Sequence, residues 1–179
     1  YSDVNYYWLT FGGAQGKRMQ SQPSLAASAD VLVERFGDAL FIEDEKVNVL
    51  SSGKDWLGQS LSGPSGSFTY VNLLPGLVPN DVITYRYSLV AHDGTSPQFT
   101  VRDGGTTLGV YALAPSFDYL YATGNIWQSL GTSSLSNNTS QLNIAFSSPS
   151  NASEGWIDWI EILFPRMLWG VNNYLRFRS

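Results

Sequence analysis

The sequence predicts an all-β protein, a two-sheet antiparallel β-sandwich of jelly-roll type. Three observations carry that expectation. Short runs of strand-forming residues recur along the 179 residues, separated by Gly, Pro, Asn and Asp turn signals. Aromatic residues make up 14% of the chain and hydrophobic residues 43%, enough bulk for a sizeable core in one domain. Charged residues are only 14%, well below the usual quarter. Polar surface must therefore come from Ser, Thr, Asn, Gln and Gly, a balance common in extracellular β-sandwiches.

The elements follow in order. VNYYWLTF (4–11) is rich in strand formers and stops at Gly12-Gly13. SQPSLAASADVLVERF (21–36) has partly helical apolar spacing, weakened by Ser, Pro and β-branched residues. DVLVERFGDALFI (30–42) reads as one long strand or two, with Gly37 at a bulge. SFTYVNLL (67–74) ends at Pro75-Gly76. VITYRYSLVAHD (82–93) alternates, with Ile83, Tyr85, Tyr87 and Leu89 on one face and Thr84, Arg86, Ser88 and Val90 on the other. PQFTVRDGG (97–105) and TLGVYAL (107–113) read as a hairpin about Asp103-Gly104-Gly105. Further strands are expected at 117–130, 140–149, 154–170 and 173–177. The whole chain, 1–179, reads as a single domain excised from a longer protein, since it begins at Tyr1 rather than Met.

Several function classes are excluded or disfavoured. A net charge of −5 and the absence of a basic stripe argue against nucleic acid and against anionic membrane surfaces. No apolar run reaches the ~18 residues of a membrane helix. With no cysteine, disulfides, thiolate catalysis and Cys-ligated zinc are out of reach within these residues. The one histidine, His92, precedes Asp93-Gly94, a turn signal, and reads as a strand end rather than a catalytic base. Asp158 and Glu161 lie three apart in a strand, which sends them to opposite faces and makes them poor glycosidase partners.

Calcium is the better ionic expectation. Acids cluster between Asp30 and Glu45, and Glu43, Asp44 and Glu45 are the candidate ligands of a structural calcium, although no D-x-[DN]-x-[DN]-G loop is present. A solvated strand end accounts for the same acids. Carbohydrate binding needs exposed aromatic faces, for which Trp56 and Trp127 are the candidates. Asn137, Asn138 and Asn151 stand in N-x-S/T sequons.

Two segments together resemble a known family. The first is EDEKVNVLSSGKDWLGQ, with Glu43, Asp44, Asn48, Gly53, Trp56 and Gly58. The second is EGWIDWIEILFPRMLWGVNNYLRF, with Trp156, Asp158, Glu161 and Arg166. Their order and spacing are similar to the β-sandwich region before the gingipain-type cysteine peptidase domain of PorU-like proteins, the sortase-like components of type IX secretion in Bacteroidetes. The resemblance spans roughly residues 40–179; Leu57 stands where the family has an aromatic residue and Gln59 where it has an acid. It implies a non-catalytic accessory domain, secreted or held at the cell surface. Its partner would be a downstream peptidase domain in the same chain, with secretion-system proteins, cargo or glycans as further contacts. In this reading Trp56 anchors its loop to the sandwich and Gly58 lets the chain turn. The alternative is a carbohydrate-binding module of a secreted protein.

Overall fold

The structure is a computed structural model that describes residues 7–23, 32–49, 51, 53, 55–117, 121–131, 135, 137–172 and 174–175, with backbone alone for Asn125 and residues 127–131. The chain divides into two compact units, Tyr1–Leu32 and Val33–Ser179. In the first, residues 7–23 carry no regular secondary structure. The strand expected at 4–11 is therefore not formed over 7–11, and residues 4–6 lie outside the described residues. Strand propensity is expressed only where a neighbouring strand completes the ladder and covers a face; here Tyr7, Trp8, Leu9 and Phe11 stay exposed. Of the helical candidate at 21–36, residues 24–31 lie outside the described residues, 21–23 and 32–34 are irregular, and Arg35 and Phe36 are strand.

Among the described residues the second unit holds eleven strands: β1 (Arg35–Glu43), β2 (Val47–Asn48), β3 (Trp56–Leu57), β4 (Gln59–Ser62), β5 (Ser65–Leu73), β6 (Val82–His92), β7 (Gln98–Asp103), β8 (Thr106–Ala112), β9 (Ala122–Gly131), β10 (Thr139–Ser147) and β11 (Glu154–Met167). One sheet runs β1-β11-β6-β9, with β4 also on β11; the other runs β5-β10-β7-β8. All pairings are antiparallel. From β4 to β7, and again from β8 to β11, each step crosses from one sheet to the other, as in a jelly roll.

β11 organises its sheet. Its first part takes β4 along one side (Glu154↔Ser62 to Ile157↔Gln59), and its second part takes β1 along the same side (Trp159↔Glu43 to Met167↔Arg35). β6 lies along the other side. The β1 register is continuous, with Gly37 opposite Pro165, so the expected bulge at Gly37 does not form. The bulge sits in β11 instead, between Ile157 and Ile160. Of the last expected strand, Tyr174 makes an isolated bridge to Val171 and Leu175 is irregular; 173, 176 and 177 lie outside the described residues.

The alternation of β6 holds as expected: Ile83, Tyr85, Tyr87 and Leu89 are all 0% exposed. They pack with Phe99, Val101, Leu142, Ile144 and Phe146 of the opposite sheet and with Ile157, Ile160 and Ile162 of β11. Two polar bridges cross this core. Tyr85 Oη donates to Asp103 Oδ2 at 2.5 Å, and Tyr87 and Tyr111 hydroxyls meet at 3.0 Å. Burial, reinforced by Asp103, pushes the Tyr85 hydroxyl far above its ordinary pKa, so it stays a proton donor. No helix among the described residues is long and apolar enough to cross a membrane.

Candidate functional site

The outer face of the five-stranded sheet gathers most of the residues singled out in the sequence. β2 and β3 pair as Val47↔Leu57 and Asn48↔Trp56. Period-two alternation sends the two side chains of β3 opposite ways. Leu57, 4% exposed, packs with Val90 and Trp156 of the sheet's outer face, while Trp56 is 44% exposed. The anchor of this loop is therefore Leu57, not Trp56. Trp156 is 3% exposed beneath it. Gly58 is not a turn residue with positive φ. A Cβ there would lie 2.5 Å from the Ile157 carbonyl oxygen and 3.0 Å from that of Asp44, so glycine is required by backbone contact with β11. Gly53 does adopt φ +71, in the bend between β2 and β3, and Asn48 accepts from the Ser51 N–H at 3.3 Å.

The acid run does not assemble into a calcium set. Among the described residues no group of three or more His, Asp or Glu side chains is placed to hold a metal ion. Asp44 is paired with Lys46 at 2.8 Å, Glu43 closes β1 opposite Trp159, and Glu45 is exposed. Adjacency in sequence does not bring the three carboxylates together here: Glu43 ends β1, and Asp44 and Glu45 follow it outside any strand.

The β11 bulge reverses one expectation. Asp158 is hydrogen-bonded to Ser88, and Glu161 accepts from Arg86 Nη1 at 2.6 Å. Ser88 and Arg86 are two apart on β6 and share its outward face, so Asp158 and Glu161 share a face as well. The extra residue inverts the pleat between them. Arg86 also lies 5.5 Å from the Trp159 ring centroid, and Phe41 stands 6.1 Å from Trp159 on the other flank. Phe41 is 54% exposed. Near the hairpin, Tyr121 Oη donates to Asp55 at 2.9 Å, which raises the tyrosine pKa; burial, then Asp55, raises that of Asp158. Arg166 points inward, 7% exposed, and pairs with Asp38 at 2.8 Å. Trp127 stands in register with Arg86 on β9, and its side chain lies outside the described residues.

The outer face of the four-stranded sheet is different, and the sequence reading missed it. Its central strand β10 carries Asn143, Ala145 and Ser147 outward, between β5 and β7. The register forms three rows: Thr69–Asn143–Arg102, Ser67–Ala145–Thr100 and Ser65–Ser147–Gln98. A groove of about 390 Å³ runs over the short residues, lined by Ser65, Ser67, Thr100, Arg102, Ala145 and Ser147. Its signal in the sequence is weak: short or polar residues, Ser65, Ser67, Thr69, Gln98, Thr100, Asn143, Ala145 and Ser147 among them, at alternate positions of three separated strands, which reads only as solvated surface.

Two buried acids fix the frame. Asp103 also accepts from Ser140 Oγ at 2.5 Å and the Gln141 N–H at 2.6 Å. Asp93, just past β6, accepts from Ser148 Oγ, from Ser153 Oγ at 2.6 Å, and from Thr95 N–H and Oγ1 at 2.6 and 2.7 Å. Burial works against this carboxylate, but the donors outweigh it and lower its pKa to about 2. His92 ends β6 in register with Glu154.

No protein-family model and no curated protein matches this sequence. Among solved structures, the chain is similar to dimeric latent PorU from Porphyromonas gingivalis, with a TM-score of 0.60 and 16% identity, over 80% of this chain and 14% of that one. It is also similar to the CBM36-1 domain of a multidomain xylanase from the hindgut metagenome of Trinervitermes trinervoides, with a TM-score of 0.49 and 12% identity, over 70% and 96% of the two chains. The PorU likeness is one of fold, and this chain spans only 14% of PorU.

Proposed function

We propose that this chain is a non-catalytic accessory β-sandwich of a PorU-like surface peptidase acting in type IX secretion. It would contact cargo or secretion partners, or brace the peptidase domain. The observation that most supports this is the fold likeness to PorU over 80% of the chain, added to the two motifs that resemble the same family. Several of its acids are engaged within the sandwich: Asp93 and Asp103 by hydroxyls, Asp38 and Glu161 by arginines. Peptidase chemistry then belongs to a separate domain with its own Cys and His. The test is the parent polypeptide. A gingipain-type peptidase should follow residue 179, and deleting residues 33–179 should impair cargo maturation on cells while the peptidase still cleaves a small peptide. A parent without a peptidase would sink the reading.

A second reading, a carbohydrate-binding module, is favoured by the exposure of Phe41 and Trp56 at 54% and 44%. Phe41, paired across the strands with Glu161 of the Arg86–Glu161 ion pair, and Trp56 on the covering hairpin offer aromatic faces suited to a sugar ring. A glycan array with the wild type and with Phe41→Ala and Trp56→Ala tests it; retention of every signal by both variants would remove this site.

A further inference from the structure

From the groove on the four-stranded sheet we infer a binding site for a sugar residue bearing an oxyanion, a carboxylate or a phosphate ester, with Arg102 as its anchor. The charge distribution comes first. Across β5, β7, β8 and β10 the only charged residues are Arg102 and Asp103, and Asp103 is turned inward and 0% exposed. Among these four strands Arg102 is thus the one outward cation, in a chain of net charge −5. Within the second unit the other described arginines behave differently: Arg35, Arg86 and Arg166 each hold a carboxylate. Arg102 makes no ion pair among the described residues.

The groove beside it has a definite chemistry. Ala145 is the low point of the middle row, flanked by Ser67 and Thr100, and Ser65 and Ser147 extend the hydroxyl lining away from Arg102. β10 is paired on both sides, so the floor offers no open backbone edge and a peptide strand cannot add there. Phe146 lines the groove from beneath and is 1% exposed. Recognition would run through hydroxyls and one guanidinium over a partly apolar floor, which Gly66, Ala145 and Phe146 also line. A ligand rich in hydroxyls with one planar or tetrahedral oxyanion matches both, since the guanidinium fork grips either oxyanion with paired hydrogen bonds. A volume of about 390 Å³ is at the small end of ligand clefts and suits one or two sugar units.

This goes beyond both readings above and places the ligand on the opposite face from Phe41 and Trp56. The test is amide chemical-shift mapping of the 179-residue chain with trigalacturonate, mannose 6-phosphate and, as the neutral control, galactotriose. One or both acidic ligands should shift Ser67, Thr100, Arg102 and Ser147, and the stronger one names the oxyanion. Arg102→Ala should weaken it by about tenfold or more, with Arg102→Lys between. Ala145→Leu, which fills the groove without touching the charge, should abolish it. Binding should weaken when salt is raised to roughly 0.5 M. The proposal is overturned if no acidic ligand shifts these residues, if galactotriose binds as well, if Arg102→Ala binds like wild type, or if the shifts fall on Phe41 and Trp159 instead.

Discussion

The two outer faces of the sandwich solve the same problem in opposite ways. Each sheet buries one side in a shared core and must present the other. The five-stranded sheet presents large and charged side chains, and most of them are engaged: Arg86 by Glu161 and Trp159, Asp158 by Ser88, Trp156 by Leu57 of the covering hairpin. The four-stranded sheet presents short hydroxyl and amide side chains around a groove, with Val71, Leu73 and Val110 exposed beyond it, and Arg102 makes no ion pair among the described residues. The lesson is that residues conspicuous in a sequence are often conspicuous because packing needs them. The face best suited to a polar ligand is built from residues that attract no notice.

The comparison breaks most sharply at the hairpin. Trp156→Ala empties the space beneath Leu57 and should cost about 3–5 kcal/mol, whereas Trp56→Ala, on the exposed side, should cost less than about 1 kcal/mol. Paired thermal melts check this; equal losses would return Trp56 to the role of anchor.

A second test concerns the frame that both faces share. The Asp93 carboxylate has a folded pKa of about 2 against 3.8 in the free side chain. Because the folded value is the lower, its contribution is complete above about pH 4 and is lost as pH falls through about 2. Asp93→Asn should lower stability at neutral pH by about 1–3 kcal/mol and flatten the acid limb of the stability curve. Urea melts between pH 2 and pH 7 read both effects, and an unchanged acid limb would assign the acid sensitivity to other groups.

The smallest effects separate the arginines. A double-mutant cycle on Arg86→Ala and Glu161→Ala should give a coupling of about 0.5–1 kcal/mol that shrinks with salt, as expected for a pair with side chains 36% and 21% exposed. Arg102→Ala should leave stability within about 0.5 kcal/mol of wild type. A substantial loss there would mean that Arg102 braces its sheet and is not held for a ligand.

Much of the architecture was legible along the chain. The β6 alternation, the hairpin at Asp103-Gly104-Gly105 and the all-β class follow from period-two patterning and turn residues, which are local properties. Local pattern also misled. Residues 7–11 have strand composition without strand structure, because a strand needs a neighbour that sequence does not name. The opposite faces expected of Asp158 and Glu161 rest on a strict alternation that one bulge cancels, and nothing in GWIDWIEIL marks where the extra residue falls.

By itself, then, the sequence determined the β class, most strand positions, the missing cysteine chemistry and the side of β6 that would be buried. Tertiary structure decided which of two adjacent residues, Trp56 or Leu57, meets the sheet, and whether neighbouring acids converge or part. It also decided that Ser67, Thr100, Arg102 and Ala145, spread over 79 residues of chain, would lie side by side. Burial on one face is written in each strand's own periodicity. Adjacency between strands is fixed only by register and sheet order, which depend on the whole core closing at once.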